Sequence, residues 1–127
     1  MTVQLNHTIV SARDKKASAY WLADILGLAA PKPFGPFMTV RTDNDVTLDY
    51  LDAGDEVVPH HYAFLVSEGD FDAIFGRIRE RGLSYWADPH HSRPGEINTN
   101  DGGRGVYFED PDRHNMEILT RPYGSGQ

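Results

Sequence analysis

Two stretches of this chain run in step, and the match limits the folds open to it. Leu5-Asn6-His7-Thr8-Ile9-Val10 and Pro59-His60-His61-Tyr62-Ala63-Phe64-Leu65-Val66 are both short and β-prone, with histidine near the start and apolar residues after it. A polar break with an aspartate suited to capping a helix follows each, Asp14 in one and Asp70 in the other. Apolar residues then recur at helical spacing: Ala17, Tyr20, Trp21, Ile25 and Leu28 in the first, Phe71, Ile74, Phe75 and Ile78 in the second. Each pattern closes on a glycine beside a leucine, Gly27 and Gly82, as a left-handed helix cap favours. Gly27 follows His7 by 20 positions, and Gly82 follows His61 by 21.

Strands follow each glycine rather than another helix. In the first half they fall at 37–41 and 46–51, joined by the turn-like Thr42-Asp43-Asn44-Asp45. The second half has a short strand at 83–87 and a loop over 88–104. A hairpin of 105–109 and 115–120 then turns on Asp110-Pro111-Asp112-Arg113. Residues 31–36 carry three prolines and read as extended linker or a broken edge strand. The tail at 124–127 reads as frayed. The expected fold is α+β: one domain over 1–127, made of two tandem βαβββ modules at about 1–53 and 57–122. Neither module can bury both faces of its sheet alone, so the two sheets are expected to curl around a shared cleft.

Composition removes several functions. With 12 basic and 19 acidic residues the chain carries a formal charge of −7, which disfavours binding to nucleic-acid phosphates. The absence of cysteine excludes disulfides, thiolate metal sites and cysteine nucleophiles. No apolar run reaches the roughly 18 residues of a membrane span, and the opening residues lack a signal-peptide layout, so a cytoplasmic location without membrane contact is expected.

The chemistry concentrates on three residues. Side chains alternate along a strand, so His7 shares a face with Leu5 and Ile9, and His61 with Ala63 and Leu65. His60 must point the other way, and the repeat spacing selects His61. Glu117 lies between Met116 and Ile118 in the last strand, where a buried charge is costly unless paired. Two imidazoles and a carboxylate suit a divalent ion with open positions, whether Fe2+, Mn2+, Zn2+ or Ni2+. A lone strand histidine or a terminal-strand glutamate is more often structural; it is the joint placement at equivalent points of a repeat that favours a metal.

These stretches, with Leu26-Gly27-Leu28 and Gly105 through Glu117 (GVYFEDPDRHNME), resemble the vicinal oxygen chelate superfamily, which includes glyoxalase I, extradiol dioxygenases, fosfomycin-resistance enzymes and bleomycin-binding proteins. The resemblance covers about residues 4–121. It implies paired βαβββ modules around a metal cleft, His7, His61 and Glu117 as ligands, and a homodimer that completes its sites across the subunit interface. It also implies a metal-dependent enzyme acting on a small substrate chelated through adjacent oxygens, by dioxygenase-like or glyoxalase-like chemistry. The alternative is a non-catalytic antibiotic-binding dimer. Tyr107, ten residues before Glu117, corresponds to a tyrosine directed at substrate in some members and is a candidate catalytic residue beside Glu117, core packing being the competing role. Asp49 is a possible fourth ligand by repeat symmetry, one carbon shorter than glutamate. Arg113 stands where the family commonly has glycine. His90-His91 could close over the cleft, although a solvated loop pair is the commoner case. A fosfomycin-type reading is weakened because Arg93 and Arg104 are the only cations in the loop expected to bind a phosphonate.

Overall fold

A computed structural model describes residues 2–126. By internal contacts the chain divides into two compact units, Met1–Val58 and Pro59–Gln127. Each is a βαβββ unit carrying a four-stranded mixed sheet.

The first unit runs β1 (His7–Ala12), α1 (Lys15–Leu26), β2 (Lys32–Phe34), β3 (Phe37–Arg41) and β4 (Thr47–Asp52), with strand order β1-β4-β3-β2. Asp14 caps α1 by accepting from the Ala17 amide at 3.1 Å. Gly27 ends it at φ 73°, a left-handed conformation that glycine adopts without steric cost. The helix buries Ala19, Leu22, Ala23 and Ile25, and lies against β1, β3 and β4. Strand alternation supplies the other side of this core: Val10 and Ala12 of β1, Val40 of β3 and Tyr50 of β4 are fully buried. Ile9, of opposite parity, is 51% exposed. The proline-rich stretch is resolved in favour of an edge strand. Pro33 sits in β2, where a missing amide is tolerated because only β3 pairs with it.

The second unit repeats the plan with β5 (His61–Leu65), α2 (Glu68–Glu80), β6 (Tyr85–Trp86), β7 (Gly105–Glu109) and β8 (Asn115–Leu119), ordered β5-β8-β7-β6. In both units the first strand, at one edge of the sheet, pairs in parallel with the last, an inner strand, and the remaining pairs are antiparallel. Phe71, Ile74 and Ile78 of α2 are buried, as are Val106, Phe108, Met116 and Ile118 of the sheet. Truncating one such phenylalanine to alanine typically costs about 3–5 kcal/mol. The cap of α2 is Ser67 rather than Asp70: the Asp70 amide donates to Ser67 Oγ at 3.1 Å. Asp70 falls instead in the first turn, where its charge complements the helix dipole. The tail is also better held than expected. Asp101 accepts from the Gly124 and Gly126 amides at 3.1 and 3.0 Å, while Gln127 lies outside the described residues.

The β7–β8 turn is organised by Asp110, whose Oδ1 accepts from the amides of Asp112 at 2.9 Å and His114 at 2.7 Å. Arg113 adopts φ 67°, the conformation that glycine would take there at lower cost. Asp110 is 5% exposed and its Oδ2 has no hydrogen-bond partner, so burial pushes the carboxyl up to about 6. The folded protein therefore holds this proton more tightly than the unfolded chain, whose aspartates titrate near 4. The resulting contribution to stability is complete below about pH 4 and is lost as pH rises through about 6. We predict that urea unfolding will show Asp110→Asn gaining on the wild type over this window, by on the order of 2 kcal/mol between pH 4 and 7. A stability difference independent of pH would exclude this protonation.

Candidate metal centre

The repeat symmetry extends to single side chains. In the first unit the strand register aligns Ile9, Asp49, Thr39 and Lys32 in one row across the sheet. In the second it aligns Ala63, Glu117, Tyr107 and Trp86. Asp49 is thus the positional counterpart of Glu117, and both are buried, at 6% and 7% exposure. Tyr107 lies directly opposite Glu117 in the register, as their ten-residue separation anticipates for a hairpin with an odd number of loop residues.

His61 and Glu117 meet. His61 Nε2 lies 3.0 Å from Glu117 Oε1, and the His61 ring stacks at 5.7 Å on Tyr107. The other ring nitrogen, Nδ1, lies 3.0 Å from the Asn115 carbonyl oxygen, which can only accept. Nδ1 therefore carries the hydrogen, and in the neutral imidazole Nε2 presents a lone pair. Two acceptors then face each other over 3.0 Å, one of them on the buried Glu117 and the other on a His61 side chain that is 46% exposed. That arrangement is favourable only with a cation, metal or proton, between them. His7, on the first unit, shows the same device with another partner: Nδ1 lies 2.7 Å from Asn6 Oδ1, leaving Nε2 for a ligand. The residue chemistry therefore fits a divalent ion. Among the described residues, no three His, Cys, Asp or Glu side chains gather into one group that could hold such an ion. The pair His61 and Glu117 is brought together, and His7 stands on the other unit.

His60 takes the opposite course. Its amide donates to His114 Nδ1 at 2.9 Å, and its ring lies 6.1 Å from that of the fully buried His114.

Tyr107 is 7% exposed. Burial above all, then the Glu117 charge and the hydrogen bond to it, push its phenol well above the usual tyrosine range. It stays protonated at physiological pH and remains a hydrogen-bond donor. Tyr107 and Glu117 line a cavity of about 480 Å³ together with Leu119, Arg104, Arg121 and Tyr123. Arg104 is committed elsewhere: it contacts Glu68 at 2.8 Å and Asp72 at 2.8 Å, and its guanidinium sits 4.4 Å from the centre of the Phe71 ring.

Sequence reasoning missed the anchoring of His91. Its ring stacks on Trp86 at 3.6 Å, and Nε2 lies 3.0 Å from Asn115 Oδ1. The loop beneath is fixed by Asp88, which accepts from the Ser92 amide and hydroxyl and the Arg93 amide, and whose carboxyl is held down to about 2, chiefly by the Ser92 hydroxyl. The parity of Trp86 and Asn115 carried a trace of this. The non-glycine φ of 60° at His91 had no signature in the sequence. His90 is exposed.

The model of the Glyoxalase/Bleomycin resistance protein/Dioxygenase superfamily matches residues 4–118. Glutathione transferase FosA of Serratia marcescens is 30% identical over 125 residues, covering 93% of this chain and 81% of that protein. The solved structures of Oxidase ChaP-H1 and Oxidase ChaP-H2 are each 72% identical to it with a TM-score of 0.95. They match 97% and 100% of this chain and 99% and 100% of their own. The chain belongs to the Glyoxalase/Bleomycin resistance protein/Dioxygenase superfamily.

Proposed function

We propose that this protein is a divalent-metal-dependent oxidase that binds a small substrate through adjacent oxygens. The observation that carries the metal is the opposition of His61 Nε2 and Glu117 Oε1, with the histidine's other nitrogen tied to Asn115. His7 is the third ligand, with Nε2 left available by Asn6. The oxidative direction, among the dioxygenase-like and glyoxalase-like reactions open to such a site, rests on the 72% identity to the two ChaP oxidases. A thiol-transferring reading follows from the 30% identity to FosA, but Arg104 would have to leave two carboxylates to meet an anionic substrate.

When bound, the metal supplies Lewis acidity and, if redox-active, one-electron chemistry. The chain's own residues do the rest. Asn115 and Asn6 fix the histidine tautomers and ring orientations. Tyr107 keeps its proton and offers it as a hydrogen bond to an oxygen that gains charge, exchanging Glu117 for the substrate. Burial of Glu117 and Tyr107 limits water at the reacting end of the cavity. The family resemblance implies that His7 joins the other ligands in a homodimer. Asp49, buried at the position equivalent to Glu117, offers a further carboxylate on the first unit.

Metal analysis of protein purified without chelator or affinity tag should find stoichiometric metal. His7→Ala, His61→Ala and Glu117→Ala should each abolish it. His60→Ala should retain it, because only the backbone of His60 serves the bond to His114 Nδ1. Loss in His60→Ala with retention in His61→Ala would reverse the assignment. Metal-free wild type that binds an aromatic antibiotic tightly would favour sequestration instead.

Tyr107→Phe should lower oxygen uptake on an accepted diol or catechol by roughly 10²-fold with metal content intact. Glu117 loses one donor in this variant, so a stability cost of about 1 kcal/mol is expected. Unchanged turnover would leave Tyr107 a packing residue. Light scattering should give twice the 14.2 kDa chain mass at micromolar concentration; a monomer carrying full metal would remove the shared-site arrangement.

A further inference from the structure

The cavity that Tyr107 and Glu117 line has a further wall. Tyr123 and Gly124 line it with Arg121, and exposed Tyr123 stands at the rim while Glu117 and Tyr107 are buried. Tyr123 and Gly124 belong to the last residues of the chain, which are built in rather than merely trailing. Both carboxylate oxygens of Asp101 are spent on this segment, one on the Gly124 amide at 3.1 Å and the other on the Gly126 amide at 3.0 Å. Such charge-assisted bonds are stronger than neutral ones. Between them the Ser125 amide donates to the Pro122 carbonyl at 3.0 Å and closes a turn. A Cβ at Gly126 would lie 2.6 Å from Asp101 Cα, so the two backbones touch where only glycine fits. Asp101 itself is held at φ 58°, a left-handed conformation that costs a non-glycine residue free energy. Strain, a doubly used carboxylate and a glycine-only contact converge on one task, which is to hold residues 122–126 in place. What they hold out is Tyr123, 93% exposed, with its ring open to a ligand. Tyrosine offers a large rigid face with few torsions to order on binding.

The volume sets the scale of that ligand. About 150 Å³ suffices for benzene, whereas this open-sided cavity offers about 480 Å³, room for more than one ring. A ligand no larger than one ring, chelated at Glu117, would leave the outer part of the cavity empty.

We infer that residues 122–126 form a fixed specificity wall, and that Tyr123 selects substrates long enough to reach from the Glu117 end of the cavity to its rim. This rests on the chelation reading above. Asp101 is the positioning residue of the wall, and Tyr123 is its ligand-contacting residue.

The test uses full-length protein loaded with Zn2+ and two coloured vicinal diols, 4-nitrocatechol with one ring and alizarin with three fused rings, titrated by absorbance. Three variants are compared with wild type. Tyr123→Ala removes the ring at an exposed position, Asp101→Gly frees the tail while accepting the φ of 58°, and a chain ending at Arg121 lacks the wall. Each should raise the dissociation constant for alizarin roughly fivefold, the size of one aromatic contact. The constant for 4-nitrocatechol should change by less than about twofold, with zinc content unchanged. Tyr123→Ala binding alizarin as tightly as wild type would overturn the inference, as would equal losses for both probes. Wild type that binds 4-nitrocatechol but not alizarin overturns it too and leaves chelation standing. If loaded wild type binds neither probe, the chelation reading falls and takes this one with it.

Discussion

The candidate site depends on a carboxylate buried in the middle of a sheet. Glu117 sits in a central strand at 7% exposure, with the lone-pair side of His61 3.0 Å away. Desolvating a carboxylate costs several kcal/mol unless a cation or a set of donors compensates. Tyr107 supplies one donor and Asn115 prevents His61 Nε2 from being another while the ring is neutral. The sheet thus presents a site with too little positive charge of its own. The parallel pairing of β5 with β8, and the antiparallel pairing of β8 with β7, hold all three side chains at this one place.

The two units share backbone register but not side chains. Where the second row reads Ala63, Glu117, Tyr107 and Trp86, the first reads Ile9, Asp49, Thr39 and Lys32. The aromatic members of the row and the longer acid fall in the second unit alone. The first keeps the histidine, with its own asparagine orienting the ring. A fold built from a repeat therefore has a one-sided chemistry.

Much of this was legible in the sequence because it is periodic. The βαβββ repeat, the helix ends at Gly27 and Gly82, and the parity that separates His60 from His61 all follow from spacing, and spacing survives without neighbours. The opposition of Tyr107 and Glu117 followed from counting a hairpin. What was illegible depends on contacts between distant residues. Ser67 displaced Asp70 as a cap because both are acceptable by type and only the local backbone chooses. Asp101 gripping Gly124 and Gly126, and His91 stacking on Trp86, join segments more than 20 residues apart or nearly adjacent ones through left-handed backbone at non-glycine residues. Neither has a pattern that composition or period could carry.

The pairing of Arg104 with Glu68 and Asp72 has a further consequence for the cavity beside it. A guanidinium shared by two carboxylates contributes little positive potential to the space it borders, where Glu117 and Asp101 stand as acids and Arg121 as a further cation. With Arg104 tied to its own acids, Arg121 is the residue whose reach would set how a deprotonated ligand is held at that wall.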